Sequence, residues 1–221
     1  ESYNGTSWTA GNVIPAALRS LNNSGAGTQA AGFYVGGYGP PGGARNTTQE
    51  WDGSSWSATN NFPITSYHIG SMGTQTAAVS CTGEKQTAPA RSAVSAEYDG
   101  SSWTAGNSVN TGRYGVGSAG TQTAGLIFAG NVPAPPTLGT TEEYDGTSWS
   151  TTSVTVYPAN YSGGAGIQTA AIKMGGESTP NQAVAETYNG SSWTSITAMP
   201  AGKNGAMPAG GSDAGLASGG Y

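Results

Sequence analysis

The chain has 221 residues, and its 12 acidic and 7 basic side chains give a formal net charge of −5 at pH 7. The cations are scattered without a run, so neither nucleic acid nor an anionic membrane surface is an expected partner. No stretch approaches the roughly 20 consecutive apolar residues of a membrane-spanning helix, so we expect no membrane insertion.

One motif repeats five times along the chain. It reads aromatic, Asp or Asn, Gly, Ser or Thr, Ser, Trp, and its copies are Tyr3–Trp8, Trp51–Trp56, Tyr98–Trp103, Tyr144–Trp149 and Tyr188–Trp193. Successive copies start 48, 47, 46 and 44 residues apart. This period suits one four-stranded propeller blade and is too long for most helical repeats. The sequence therefore predicts an all-β, five-bladed β-propeller.

A second repeated element predicts the inner half of each blade. It contains Gln29, Gln75, Gln122, Gln168 and, in the fifth copy, Ser212. Each is followed by alternating Ala and apolar residues and then Gly, and a period of two indicates a strand. Small residues before the glutamine predict the innermost strand, because blades crowd near the axis. Asp-Gly or Asn-Gly predicts the hairpin between the third and fourth strands.

These patterns divide a single domain over 1–221 into blades of four antiparallel strands. Blade 1 is predicted at about 22–61, blade 2 at about 68–108, blade 3 at about 114–154 and blade 4 at about 161–198. Blade 5 is composite, with about 204–221 supplying two strands and about 1–14 supplying the other two. N- and C-terminal strands then close the ring, and we expect Glu1 and Tyr221 within about 25 Å of each other.

Alternating strand direction sorts the connections onto two faces. The tight-turn face carries only the short Thr-Gln and Asp-Gly turns. The long-loop face carries the variable connections between strands two and three and between one blade and the next. Variable loops on a rigid scaffold are a usual place for binding, so we expect contacts on the long-loop face.

The order of apolar strand, Gly-Gly, loop, Tyr-Asp and Trp resembles the kelch repeat over the whole chain. Gly36-Gly37, Gly175-Gly176 and Gly219-Gly220 match its double glycine, and Arg113 matches the arginine that often precedes its first strand. The compact form of the repeat resembles kelch-like repeats encoded by bacteriophages of marine bacteria. That resemblance implies a phage structural protein, as a virion or tail-fibre module, and specifies a blade rather than an activity.

Few side chains offer chemistry. The lone His68 is expected in a loop, either solvated or in contact with a ligand, and Cys81 replaces a buried apolar residue of the other blades. Lys173 is expected to extend to solvent at a blade edge. The carboxylates beside the repeated aromatic are expected to keep strand edges soluble: Glu50, Glu97, Glu143 and Glu186.

Catalysis is not expected. One His and one Cys are too few for the copper and iron sites of propeller oxidases. The Gly-, Ala- and Ser-rich innermost strands offer no carboxylate pair for glycoside hydrolysis. We therefore expect no catalytic residue, no metal and no cofactor.

Two non-enzymatic functions remain. One is a virion or extracellular receptor-binding module that presents loops to a host surface glycan or protein, as a lectin-like propeller does. The other is a structural or protein-docking propeller of the kelch type, with other virion proteins as partners. Predicted ligand or partner contacts are Tyr38, Tyr67, His68, Tyr157 and Tyr161. The tryptophans predicted to pack between blades are Trp8, Trp56, Trp103, Trp149 and Trp193.

Overall fold

A computed structural model of the chain describes residues 1–15, 17–87, 90–133, 137–178 and 180–220, and the regular elements in these ranges are β-strands. In chain order they are β1 (Ser2–Tyr3), β2 (Trp8–Thr9), β3 (Gly25–Gly27), β4 (Gly32–Val35), β5 (Tyr38–Gly39), β6 (Gly43–Ala44), β7 (Thr48–Trp51), β8 (Trp56–Thr59), β9 (Gly70–Thr74), β10 (Ala77–Cys81), β11 (Ser95–Tyr98), β12 (Trp103–Ala105), β13 (Gly117–Gly120), β14 (Gly125–Phe128), β15 (Thr140–Tyr144), β16 (Trp149–Val154), β17 (Gly163–Ile167), β18 (Ala170–Met174), β19 (Ala185–Tyr188), β20 (Trp193–Ile196), β21 (Met207–Gly210) and β22 (Gly215–Ser218). In these ranges no helix could cross a membrane.

Four sheets of four antiparallel strands form blades 1 to 4. Their orders are β3-β4-β7-β8, β9-β10-β11-β12, β13-β14-β15-β16 and β17-β18-β19-β20. The innermost strands β3, β9, β13 and β17 pack side by side in this order, and β21 continues the series beside β17. The all-β propeller predicted from the repeat is therefore confirmed. An additional hairpin, β5–β6, lies in the long loop of blade 1.

The Asp-Gly-Ser-Ser turns between third and fourth strands are stabilised by their own side chains. Asp99 Oδ1 accepts hydrogen bonds from the backbone N–H groups of Ser101 and Ser102 at 2.8 and 2.7 Å. Gly100 has φ +91°, a conformation that side chains with a Cβ rarely adopt. These bonds hold the pKa of the Asp99 carboxyl well below its usual range. The turn chemistry explains why the motif is repeated almost unchanged.

The repeated glutamine fastens each blade to the preceding one. Gln75 Nε2 donates to the carbonyl oxygens of Gly32 and Trp51 in blade 1, at 3.0 and 2.9 Å. Gln122 and Gln168 make the same two bonds to blades 2 and 3. Each amide thus satisfies two backbone acceptors of the preceding blade.

In blades 2 to 4 the repeated Tyr and Trp pack into the preceding blade, whereas Trp56 contacts Tyr34 of its own blade and Trp8 is 52% exposed. Trp149 and Trp193 are 6% and 7% exposed, each within a cluster of apolar residues from the blade before. Tyrosine hydroxyls donate across three interfaces, in the pairs Tyr98–Glu50 (2.9 Å), Tyr144–Glu97 (2.6 Å) and Tyr188–Glu143 (2.9 Å). These carboxylates therefore join blades, and the predicted role of keeping strand edges soluble does not describe them.

Two fully buried ion pairs lie inside the blades. Arg113 Nη1 donates to Glu142 Oε1 and Lys173 Nζ to Glu186 Oε1, both at 2.8 Å. The prediction that Lys173 extends to solvent is wrong, because Glu186 stands opposite it on the adjacent strand β19. Glu186 also accepts the backbone N–H of Val156 and so anchors the loop that enters blade 4.

The terminal strands do not form the composite blade 5 that the sequence predicts. The N-terminal hairpin (β1–β2) and the C-terminal hairpin (β21–β22) are separate two-stranded sheets, and within the described ranges β1 pairs only with β2 and β22 only with β21. A cleft of about 1380 Å³ is lined by the N-terminal hairpin and blade 1. The predicted proximity of Glu1 and Tyr221 lies outside the described residues.

In the described ranges the C-terminal hairpin lacks a bond that blades 2 to 4 have to the preceding blade. Ser212 occupies the position of the repeated glutamine, and its short side chain bonds Asp213 instead of two carbonyls of blade 4, as Gln168 bonds two carbonyls of blade 3. Leu216 is 46% exposed, whereas the equivalent Leu126 is fully buried. Trp8 is likewise 52% exposed.

Candidate functional site

Five repeat-equivalent residues at the entrance to the innermost strands are linked by backbone hydrogen bonds. They are Ser20, His68, Gly115, Tyr161 and Gly205, and all have φ between 53° and 65°. Each N–H from His68 onward donates to the carbonyl of the preceding member, at 2.7 to 3.2 Å. Because this series follows the blades around the axis, its residues lie at the centre of the long-loop face.

An aromatic cluster surrounds this centre. We define the axial aromatic cluster as Tyr38, Tyr67, His68, Tyr114 and Tyr161. Ring centroids are 5.3 Å apart for Tyr38 and Tyr67, and 4.6 Å apart for His68 and Tyr161. All five side chains are partly buried, so each keeps an accessible surface. Four different blades contribute to this patch.

A two-residue insertion in blade 1 places Asn23 beneath the cluster. In blade 2, Gly70 pairs with Cys81 and follows Tyr67 by three residues. At the equivalent place in blade 1, the Ser24 carbonyl accepts the Val35 N–H, and Ser24 follows Arg19 by five residues. Asn23 Nδ2 donates to the carbonyls of Val116 and Ser162 at 2.9 and 2.8 Å. Asn23 therefore links blade 1 to blades 3 and 4 across the axis and stiffens the base of the site.

Burial changes the pKa of the histidine and of tyrosines in the cluster. It lowers the pKa of His68 to about 4, so the imidazole is neutral. Burial, with the neighbouring Glu84 carboxylate, raises the pKa of Tyr67 to about 12. Burial, with the neighbouring Tyr114, also raises the pKa of Tyr161. His68 Nδ1 is buried without a hydrogen-bond partner among the described residues.

Two arginines stack on the cluster. The Arg19 guanidinium lies 4.7 Å from the Tyr38 ring centroid, and that of Arg91 lies 5.0 Å from the Tyr114 centroid. Arg91 also donates to Asn131 Oδ1 at 2.8 Å. A guanidinium held over an aromatic face keeps donors free for a ligand and loses little entropy on binding.

Four of the five predicted contact residues lie in this cluster, and one does not. Tyr38, Tyr67, His68 and Tyr161 are together, whereas Tyr157 is 42% exposed in the loop that Glu186 anchors. Sequence reasoning missed Tyr114, Arg19 and Arg91. Tyr114 occupies the same repeat position as Tyr67, because each forms a β-bridge at the base of its blade's long loop. Aligning the repeats at this position would have identified Tyr114 from the sequence.

The site is suited to binding. No group of three or more His, Cys, Asp or Glu residues within the described ranges could hold a metal ion. Cys81 is buried in an apolar cluster between blades, and burial raises the pKa of its thiol. Ring faces, hydroxyl groups and guanidinium donors are the groups that recognise ligands without reacting.

Comparison with known proteins identifies a similar fold but no similar sequence. No known protein family and no curated protein matches the sequence. The solved structure titled "Structure of YjhT" is similar with a TM-score of 0.80, over 97% of this chain and 80% of that chain, at 12% sequence identity. Identity this low carries no information on activity. The similarity and the repeated blades together show that the chain folds as a kelch-like β-propeller.

Proposed function

We propose that this chain is a non-catalytic binding propeller that recognises a host surface glycan through the axial aromatic cluster. The observation that carries the proposal is the convergence of four tyrosines and a neutral histidine from different blades on one patch. Tyrosine offers a flat apolar face and a hydroxyl group, which together match the C–H face and hydroxyls of a sugar ring.

The proposal includes a stoichiometry of one ligand per chain. The five bridge positions at the bases of the loops hold Arg19, Tyr67, Tyr114, Asn160 and, by sequence, Asn204. Because these side chains differ from blade to blade, the propeller does not present five equivalent pockets. One asymmetric site is expected rather than the repeated sites of a multivalent lectin.

We further propose a virion-associated, extracellular role as a tail-fibre or receptor-binding module. Support comes from the resemblance of the compact repeat, such as Tyr-Asp-Gly-Thr-Ser-Trp at 144–149, to phage-encoded kelch-like repeats. The few cations also favour a partner other than nucleic acid or a membrane.

Glycan arrays with matched tyrosine variants test the proposed function. Tyr67→Ala and Tyr114→Ala should abolish binding, because each removes a ring of the cluster. Tyr157→Ala is the control and should bind like the parent, since Tyr157 lies outside it. Melting curves should show that the variants remain folded. Glycan binding that survives both cluster variants would contradict the site.

A protein partner is the second candidate, because tyrosine and arginine dominate the centres of protein interfaces. Failure of the folded parent to bind any glycan, with capture of one virion or host surface protein that Tyr67→Ala prevents, would favour this alternative.

We also propose that the scaffold is a closed ring of five blades in which β22 pairs with β1. Gln29 Nε2 already donates to the Tyr3 carbonyl at 3.1 Å, as Gln75 does to Trp51. Asn12 donates to the Ser54 carbonyl as Asn107 of blade 2 does to the Thr147 carbonyl of blade 3. These two bonds of the N-terminal hairpin to blade 1 resemble those between the other blades and so support the proposed closure.

Disulfide trapping tests this closure. Phe33 stands opposite Glu50 in blade 1, so the equivalent Leu216 should stand opposite Ser2. Ser2→Cys with Leu216→Cys should form an intramolecular disulfide, whereas Ser2→Cys with Ala217→Cys is out of register and should react more slowly. Cys81 is buried and should not compete. Equal rates for the two pairs, or intermolecular products alone, would contradict closure.

A further inference from the structure

Four of the seven cationic side chains are bound to a carboxylate or to backbone carbonyl oxygens of the fold. Arg113 and Lys173 form the buried ion pairs. Arg45 donates to carbonyl oxygens of its own loop, and Lys203 Nζ donates to the Gly220 carbonyl at 3.3 Å.

The other three, Arg19, Lys85 and Arg91, belong to loops of the long-loop face, although the protein is acidic overall. Among the residues that the structure describes, no carboxylate oxygen lies within 4 Å of the Arg19 or Arg91 guanidinium. The two arginines that could pair with an external anion are thus the two stacked on the axial aromatic cluster.

The contacts form one continuous row. From Arg19 the row passes over Tyr38, Tyr67, His68 and Tyr114 and ends at Arg91, and successive members are 4.7 to 5.8 Å apart. A row of aromatic rings with a guanidinium at each end matches a chain of sugar units that carries more than one carboxylate. Arginine is the side chain best suited to such a group, because its planar fork can bind both carboxylate oxygens.

We infer that the axial aromatic cluster binds an acidic saccharide of the uronate class, with Arg19 and Arg91 pairing with its carboxylates. The inference rests on the proposed glycan-binding function and adds the charge of the ligand. Glu84 does not occupy either arginine, since its carboxylate forms no ion pair with Arg19 or Arg91 in the described ranges. Its charge should nevertheless oppose an anionic ligand.

Two probes of identical backbone test the charge directly: oligogalacturonate and its fully methyl-esterified, neutral form. Calorimetry should show oligogalacturonate binding about 10-fold or more tightly than the ester, with affinity falling as salt is raised. Arg19→Gln and Arg91→Gln should each weaken it about 10-fold, without changing affinity for the ester. Lys203→Gln is the matched control and should leave both affinities unchanged.

Glu84→Gln separates the possible ligand charges, because it removes the negative charge beside Tyr67 and keeps the size of the side chain. An acidic saccharide should bind this variant more tightly, a neutral one equally and a cationic ligand more weakly. Equal affinity for the two probes, or weaker binding of oligogalacturonate to Glu84→Gln, would overturn the inference and leave the proposed function standing. A folded parent protein that binds neither probe and no glycan on an array would overturn both.

Discussion

A single residue difference between copies of the repeat decides whether the buried tryptophan N–H at a blade interface has a hydrogen-bond acceptor. Trp103 Nε1 donates to Thr48 Oγ1 at 2.9 Å, and Trp193 Nε1 donates to Thr141 Oγ1 at 2.8 Å. At the equivalent place between blades 2 and 3 the hydroxyl belongs to Ser95. There the Trp149 indole N–H and the Ser95 hydroxyl are both buried without a hydrogen-bond partner in the described ranges. Serine lacks the methyl group that restricts the χ1 angle of threonine.

Ser95→Thr should therefore stabilise the protein by about 0.5–1.5 kcal/mol, by restoring the indole hydrogen bond. The midpoint of urea unfolding measures the change. Thr141→Ser is the reverse control and should destabilise by a similar amount. A destabilised Ser95→Thr variant would show that the two buried groups cannot meet.

His68 should make stability depend on pH. Its pKa is about 4 in the folded protein and about 6.5 in the unfolded chain. Between these values the unfolded chain binds a proton that the folded chain does not, so stability is lost as pH falls from about 6.5 to about 4. The loss should be on the order of 2 kcal/mol, at about 1.4 kcal/mol per pKa unit with allowance for solvent screening.

His68→Asn should remove this contribution, because Asn tolerates the φ of 56° without titrating. Unfolding free energies of the parent and the variant, measured across pH 4 to 7, should converge toward low pH. Parallel pH profiles would show that His68 is accessible to solvent in the folded state.

At this scale the sequence named four of the five members of the axial aromatic cluster, but neither Tyr114 nor the two arginines that stack on the cluster. Tyr38, Tyr67 and Tyr161 could be assigned to long-loop connections because the strand periodicity placed them there. The stacking of Arg19 on Tyr38 depends on the loop conformation of blade 1, including a two-residue insertion. Periodicity carries no information about such a contact.

At the scale of the element, the fold could be predicted nearly strand by strand. The period of two after each glutamine and the Asp-Gly turn specify where strands start and stop. The hairpin β5–β6 was not predicted, because its residues Tyr38–Gly39 and Gly43–Ala44 lack both signals. Lys173 was misplaced for a related reason, since its partner Glu186 becomes its neighbour only through the β18–β19 register.

The repeated glutamine suggests how to strengthen the C-terminal hairpin. Gln168 donates to the carbonyls of Gly125 and Tyr144, both at 2.9 Å. The equivalent acceptors for position 212 are the carbonyls of Ala171 and Tyr188. Ser212→Gln should therefore dock β21–β22 more firmly onto blade 4 and stabilise the protein by about 1 kcal/mol.

Hydrogen exchange measures this effect locally, because amides of 207–218 should become better protected. Ser212→Ala is the control and should change little. Unchanged protection in Ser212→Gln would mean that the C-terminal hairpin does not meet blade 4 as the other blades meet one another.

For the molecule as a whole, the interface that follows blade 4 differs from the three interfaces before it. Three interblade clusters contain a Tyr and Trp pair from the following blade, such as Tyr188 and Trp193 against Phe128. The fourth cluster, centred on Ile172 and Met174, has no aromatic member among the described residues. The repeat predicts that Tyr3 and Trp8 belong there, and sequence arithmetic alone cannot show whether two terminal hairpins meet.

Trp8→Ala distinguishes an open ring from a closed one. In a closed ring the indole would be buried against Ile172, and its loss should cost about 3–5 kcal/mol, as expected for Trp149→Ala. In an open ring Trp8 stays 52% exposed, and the cost should be below about 1 kcal/mol. We expect the larger value, because closure also buries Leu216 and gives Gln29 its second acceptor, the Gly215 carbonyl. Urea unfolding of the two variants side by side removes errors common to both. A small loss of stability in Trp8→Ala beside a large loss in Trp149→Ala would show that the ring is open.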